Sequence, residues 1–167
     1  SAYVFLLGIY LIEKDIDIKN AFCKNNRLTN DELKYRIMFM WNIISTFHDI
    51  AYAFESFSKE MNTYISEINK GNRIGDVSFG ICFRNLAKLN NNNQNSFEIM
   101  KELQERRIGK SIDIEEYFEN ELETGFIDHG ILSSLILLKI TDNLYEQNIG
   151  WDRDFFNEVF PEIALSI

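Results

Sequence analysis

Apolar residues recur along this chain at spacings of three and four, the period of an α-helix, and strand-like alternation is hard to find. The spacing is clearest after Thr29, where Ile37, Met40 and Ile44 define one apolar face. A single proline and eight glycines leave long stretches free to be helical. Because 46% of the 167 residues are hydrophobic, the chain can bury a sizeable core, and we predict one all-α domain over residues 1–167.

Capping residues and glycines mark where the predicted helices begin and end. Thr29 and Glu32 have capping-box spacing, and Asp113 and Glu116 repeat it. Asp128 sits at the N-cap position of a long helix, where a carboxylate accepts from free backbone N–H groups. We predict helices over Tyr3 to about Glu13, Thr29 to about His48, Glu55 to Asn69, Asp113 to Gly125, His129 to about Gln147 and Trp151 to Phe160. We predict that Ser96 caps a helix that runs to Arg107, and that Pro161 lies in the first turn of a further helix. A turn is predicted at Leu86 to Leu89 and a loop at Asn90 to Asn93.

The first apolar segment, AYVFLLGIYLI, has the composition of a signal-peptide hydrophobic region. No basic residue precedes it, no small-residue cleavage site follows it, and it is too short to span a bilayer. We therefore predict a core helix and no membrane association. The chain begins at Ser1 without a methionine, so we expect a fragment of a longer protein.

The charge of the chain bears on its partners. A formal net charge of −9 repels phosphate backbones, so we expect no binding to duplex nucleic acid. A phosphate-bearing small molecule remains compatible with this charge if cations occupy the site. Cys23 and Cys82 lie far apart without paired spacing, which favours a reduced, cytoplasmic setting over a disulfide scaffold.

The two histidines of the chain are its candidate metal ligands. His48 follows Ile44 by four residues and therefore shares the apolar face of its helix, and Asp49 comes directly after it. A carboxylate there is costly to bury without a partner, and a divalent metal would supply one. His129 opens the second long helix on the face of Ser133, and we expect it to point toward the core. One carboxylate and two histidines make a mixed nitrogen and oxygen metal site.

Simpler interpretations of the same residues stay open. His48 could be a buried histidine hydrogen-bonded to a carbonyl group. His129 could be a first-turn residue, with Asp128 only capping its helix. A His-Asp dipeptide is also common by chance, so it is a weak signal when it stands alone.

Three segments, AYVFLLGIYL, WNIISTFHDIAYAFE and FIDHGILSSLILL, resemble segments of the HD-domain metal-dependent phosphohydrolases. The second is similar to a WxxxxxxHDIGYxxE pattern and the third to a DHGxxSAxxLL helix. The first is similar to the first helix of one bacterial branch. The three occur in family order and span most of the chain, which makes the combination more specific than any one of them.

The resemblance implies an HD-domain-like helical bundle that holds one or two divalent metal ions and hydrolyses phosphate esters. His48 and Asp49 match the signature doublet, and His129 matches the histidine of the later segment. The resemblance thus assigns His48, Asp49 and His129 as metal ligands, with Asp49 and His129 also in catalytic roles. Asp128 matches the aspartate that lies behind the ligands or caps the helix.

From the resemblance we expect a metal-dependent phosphohydrolase domain that acts on a phosphate mono- or diester, nucleotides included. The expected cofactor is a divalent metal ion: manganese, magnesium, iron, nickel, cobalt or zinc. The alternative is a non-catalytic helical module, regulatory or scaffolding, that keeps part of the metal site.

The chain departs from the family pattern at several places. Ala51 replaces the glycine after the doublet, and Tyr52 stands where some members have lysine. The family's first histidine would precede the first helix, and further ligands would follow Ile167. We therefore expect one HD-type domain truncated at both ends. Asp142 faces away from His129 around its helix, so we assign it no ligand role.

Overall fold

The computed structural model describes residues 2–14, 30–72, 84–90, 94–110, 112–148, 150 and 152–167, and most of these are helical. No strand occurs in these ranges, and the one β-type contact recorded there is an isolated bridge between Lys88 and Asn95. The predicted all-α class is therefore confirmed for the described residues. In chain order the helices are α1 (Ala2–Lys14), α2 (Asn30–Phe47), α3 (Tyr52–Asn72), α4 (Arg84–Ala87), α5 (Ser96–Ile108), α6 (Ile114–Glu123), α7 (His129–Gln147) and α8 (Arg153–Ala164).

Helix α7 lies at the centre of the core. It packs most extensively against α8 and also contacts α2, α3 and α4. Leu132, Leu135 and Leu138 of α7 are fully shielded from solvent, as are Val159 and Ile163 of α8. Burying each such side chain contributes about 1.5–3 kcal/mol, so the α7–α8 pair accounts for a large part of the hydrophobic stabilisation.

The burial of α7 differs from the single apolar face that its spacing indicates. Four consecutive residues, 132–135, are buried, whereas Ile140 and Leu144, which the helical spacing places on the same face as Ser133, are partly exposed. The reason is that α7 has neighbours on several sides there: Ser133 is hydrogen-bonded to the turn before α3, and Ser134 is hydrogen-bonded to Ala164 of α8. Burial therefore does not follow one stripe.

Aspartates cap two of the helices as predicted. The Asp113 carboxylate accepts from the Glu116 N–H at the start of α6, and Asp128 caps α7. The prediction for α5 was displaced by one residue: Asn95 is the N-cap and accepts from the Phe97 N–H. Ser96 is already the first helical residue, because the Asn95 side chain supplies the same acceptor one position earlier.

Pro161 lies inside α8, so the predicted helix boundary before it was wrong. A proline removes one backbone hydrogen bond but can be tolerated when packing holds the helix on both sides of it. Here Val159, Phe160 and Ile163 are all buried, and Pro161 is buried with them. The apolar face therefore continues through the proline.

Among the described residues, helix α1 packs against α2 along one face, so the prediction of a core helix was wrong for most of its apolar side chains. The Trp41 indole N–H donates to the Phe5 carbonyl over 2.9 Å. A Cβ added at Gly8 would lie 1.9 Å from two indole carbons of Trp41, so only glycine permits this approach. Ile12 is buried, whereas these large apolar residues of α1 are exposed: Tyr3, Leu6, Leu7, Tyr10 and Leu11.

One segment is shaped differently from its prediction, and others lie outside the described residues. The turn predicted at Leu86 to Leu89 is the end of α4 followed by the bridge at Lys88. Thr29, Cys23, Cys82 and residues 91–93 of the asparagine run lie outside the described ranges. Within those ranges, no helix combines the length and apolar character needed to cross a membrane.

Candidate functional site

The two histidine segments lie side by side at the junction between α2, α3 and the start of α7. Helix α2 ends at Phe47, and a turn over residues 48–51 leads into α3. The fully buried Ser133 joins this turn to α7, because its Oγ accepts from the Ala51 N–H over 3.2 Å and donates to the His48 carbonyl over 3.5 Å. A small hydroxyl residue one turn into α7 thus fixes the position of the doublet.

His48 is held by its own helix. Its Nδ1 lies 2.9 Å from the Ser45 carbonyl oxygen, which can only accept, so Nδ1 carries a proton. In the neutral ring the lone pair is then on Nε2, the nitrogen that lies 2.9 Å from Asp49 Oδ2. Metal-binding histidines commonly donate their other ring N–H to a backbone carbonyl in this way.

The spacing within the doublet fits two donors on one divalent ion. Nitrogen and oxygen ligands lie about 2.0–2.2 Å from such an ion, so two at a right angle are about 3 Å apart. The His48 Nε2 to Asp49 Oδ2 distance of 2.9 Å matches this value. The same distance also suits an ion pair between a protonated imidazole and the carboxylate, which would need no metal ion.

His129 has a different partner, Glu55 of α3. The His129 Nδ1 is hydrogen-bonded to Glu55 Oε2, and the Tyr52 ring meets the imidazole edge-on with ring centroids 5.7 Å apart. The His129 side chain is 40% exposed, so the prediction that it points into the core was only partly right. Its ring is fixed by two neighbours and remains open to solvent.

Glu55 is the residue of this site that sequence reasoning missed. Its side chain is only 8% exposed, and it accepts from Lys59 Nζ as well as from His129. Burial raises the pKa of Glu55, but hydrogen bonds and charges from Lys59 and His129 outweigh this and leave the pKa below its ordinary value of 4.5. Glu55 is therefore ionised at neutral pH. The available signals were its place at the end of WNIISTFHDIAYAFE and its i,i+4 spacing from Lys59.

Asp128 acts as a helix cap. Its Oδ1 accepts from the Ile131 N–H over 3.0 Å, which satisfies one free donor at the start of α7. The capping role expected for Asp128 is confirmed, and its support of a metal ligand stays a prediction.

The structure thus forms two pairs, His48 with Asp49 and His129 with Glu55, on adjoining segments. In the part of the chain that the structure describes, no group of three or more His, Cys, Asp or Glu side chains is arranged to hold a metal ion. The doublet fits a divalent ion by donor chemistry and spacing, and the assignment of His129 as its third ligand stays a prediction.

Comparison with protein families, curated proteins and solved structures gives no match to this chain.

Proposed function

We propose that this chain is an HD-domain-like, metal-dependent phosphohydrolase domain that acts on a phosphate mono- or diester, nucleotides included. The observation that carries the proposal is the His48–Asp49 doublet. One ring nitrogen of His48 is fixed on a backbone carbonyl, and the other lies 2.9 Å from a carboxylate oxygen, the separation of adjacent ligands on one ion.

The residues that would hold the ion are His48, Asp49 and His129. When bound, a divalent metal supplies a Lewis acid for a phosphoryl oxygen and lowers the pKa of water. The chain's own contribution is orientation: Ser45 fixes the His48 ring, Glu55 fixes the His129 ring, and the helix junction sets their separation. Asp49 and His129 would contact the reacting groups, because both side chains are open to solvent.

The charge of the molecule supports a cation-dependent site. With a formal net charge of −9, the chain repels an anionic ester unless positive charge is concentrated where the ester binds. Bound divalent ions would supply that charge locally without attracting duplex nucleic acid over the wider surface. A small phosphate ester in the cytoplasm is the substrate class we propose.

A non-catalytic helical module is the second candidate. It is favoured by one observation: the described residues hold no three-donor cluster, although His48, Asp49 and His129 are all among them. In this alternative the two histidine pairs would only join α2 and α3 to α7.

The proposal is tested by metal analysis of the purified chain and by hydrolysis of a phosphoester panel with manganese. In His48→Ala and Asp49→Ala we expect loss of stoichiometric manganese. Hydrolysis should fall more than about 100-fold, since even residues behind a metal ligand are worth about 10–100-fold. The helical circular dichroism should remain, because the bundle rests on apolar packing.

Glu60→Gln is the matched control, since it removes an exposed carboxylate from α3, the helix that also carries Glu55. It should keep wild-type metal content and hydrolysis. If both doublet variants keep wild-type manganese, the ligand assignment is wrong. If the wild type binds manganese but hydrolyses no ester, the non-catalytic module is supported instead.

A further inference from the structure

We infer that Glu55 is a positioning residue that fixes the His129 ring in the tautomer with the proton on Nδ1, and that Lys59 holds Glu55 in place for this purpose. The use of the exposed Nε2 as a metal ligand rests on the proposed function. The tautomer itself does not, since it follows from contacts within the chain.

The two carboxylate oxygens of Glu55 have different partners. Oε2 is hydrogen-bonded to His129 Nδ1 and Oε1 to Lys59 Nζ, and the side chain is only 8% exposed. A buried carboxylate needs partners for its charge, and in its ionised form it can only accept. The His129 nitrogen that faces it must therefore donate. In the neutral imidazole this leaves the lone pair on Nε2.

Lys59 is itself restrained. Its ammonium group lies 4.9 Å from the centroid of the Phe126 ring, a cation–π contact, while it donates to Glu55. Phe126 belongs to the connection that leads into α7 at His129. The ammonium group thus ties Glu55 to the segment that carries the histidine.

The same face of α3 fixes this connection at a second point. Ser58 Oγ and Asn62 Nδ2 both donate to the Gly125 carbonyl, over 2.8 Å and 2.7 Å. Residues 55, 58, 59 and 62 share one side of a helix because they are three, four and seven positions apart. This side of α3 therefore fixes the position of residues 125–129. The Glu55–His129 contact is held by the same packing.

The competing explanation is that the Glu55–His129 contact only joins α3 to α7, and that the tautomer it imposes has no effect on metal binding. Glu55→Gln separates the two. Glutamine has nearly the same shape, but its amide can present either an oxygen that accepts or an NH₂ group that donates. It therefore allows both tautomers of His129 while it preserves the packing.

The test is ¹⁵N NMR of the histidine rings in the metal-free 167-residue chain, at a pH where the imidazole shifts show a neutral ring. We expect the wild type and the Glu60→Gln control to show His129 in the Nδ1–H form, and Glu55→Gln to show a mixture. An Nε2–H form in the wild type, or the same single tautomer in Glu55→Gln, would overturn the inference. If Glu55→Gln fails to fold, the wild-type spectrum alone decides.

A calorimetric titration with manganese extends the test to the metal. Glu55→Gln should bind manganese about 10–100-fold more weakly than the wild type, as expected for a residue that orients a ligand. An unchanged affinity together with a changed tautomer would overturn the positioning role. Failure of the wild type to bind manganese would count against the proposed function, and the tautomer result would still decide the inference about Glu55.

Discussion

Asp113 shows how single carboxylates act in this chain. Its Oδ1 accepts from the Glu116 N–H over 3.0 Å at the start of α6, and its Oδ2 lies 3.6 Å from Lys101 Nζ. The hydrogen bond from Glu116 is the main reason why the pKa of Asp113 lies below its ordinary value of 3.8, and the Lys101 charge adds to it. Because the charged form is favoured by folding, the cap stabilises α6 above the ordinary pKa and is lost as the pH falls through the lowered pKa.

We therefore expect the Asp113 carboxyl carbon to titrate by NMR below 3.8 in the folded chain. Lys101→Gln should raise that midpoint only slightly, since the Glu116 N–H still donates to the carboxylate. A Lys101→Gln variant in which Asp113 titrates at its ordinary value would mean that the ion pair, and not the cap, controls this group.

For single residues, local spacing in the sequence predicted the helix caps but not the partner of His129. Asp113 and Asp128 cap helices that start within a few residues of them, so local spacing was enough. Glu55 and His129 are 74 positions apart, and no local pattern shows that α3 will bring them together. Local spacing likewise placed the cap of α5 one residue late, because Asn95 and Ser96 are both good N-cap residues.

Two helices, α7 and α8, are joined by an ion pair with a buried carboxylate as well as by apolar contacts. The Asp142 carboxylate is fully buried, accepts from the Arg153 guanidinium group, and also accepts from the Asn90 N–H over 2.7 Å. Arg153 lies over the Phe156 ring, 4.4 Å from its centroid. Both oxygens of the Asp142 carboxylate thus have partners within the chain.

Arg153→Met should lower the free energy of unfolding by about 3–5 kcal/mol, because it leaves a buried carboxylate without its cation. Adding Asp142→Leu should recover much of that loss, since the buried charge is then gone. Arg107→Met is the matched control: it breaks the more exposed pair with Glu162 and should cost about 1 kcal/mol or less. Urea unfolding measures all three, and equal losses in Arg153→Met and Arg107→Met would refute the account.

Helix boundaries could be predicted where local chemistry decides them and not where packing does. The end of α8 is an example: Pro161 is a helix-breaking signal in the sequence, but the buried residues on both sides of it keep the helix continuous. Packing also decides how much of α1 is buried. Its composition indicates a core helix, but among the described residues one of its faces meets α2 and most of its large apolar side chains are exposed.

For the whole molecule, the helical period was sufficient to predict an all-α fold, but not the arrangement of its helices. The arrangement depends on close approaches between distant residues, such as Gly8 against the Trp41 indole and Ser133 against the turn after His48. The candidate site is a product of that arrangement, since its residues come from the ends of three helices. The proposed function requires His48, Asp49 and His129 to bind one divalent ion.

Anomalous diffraction from a crystal of this chain grown with manganese tests that claim most directly. We predict a manganese peak about 2.0–2.2 Å from His48 Nε2 and from an Asp49 carboxylate oxygen, with His129 Nε2 turned toward the same ion. Its Nδ1 should remain on Glu55. A map at saturating manganese with no peak at the doublet, or with the ion bound elsewhere and both histidine pairs unchanged, would contradict the account.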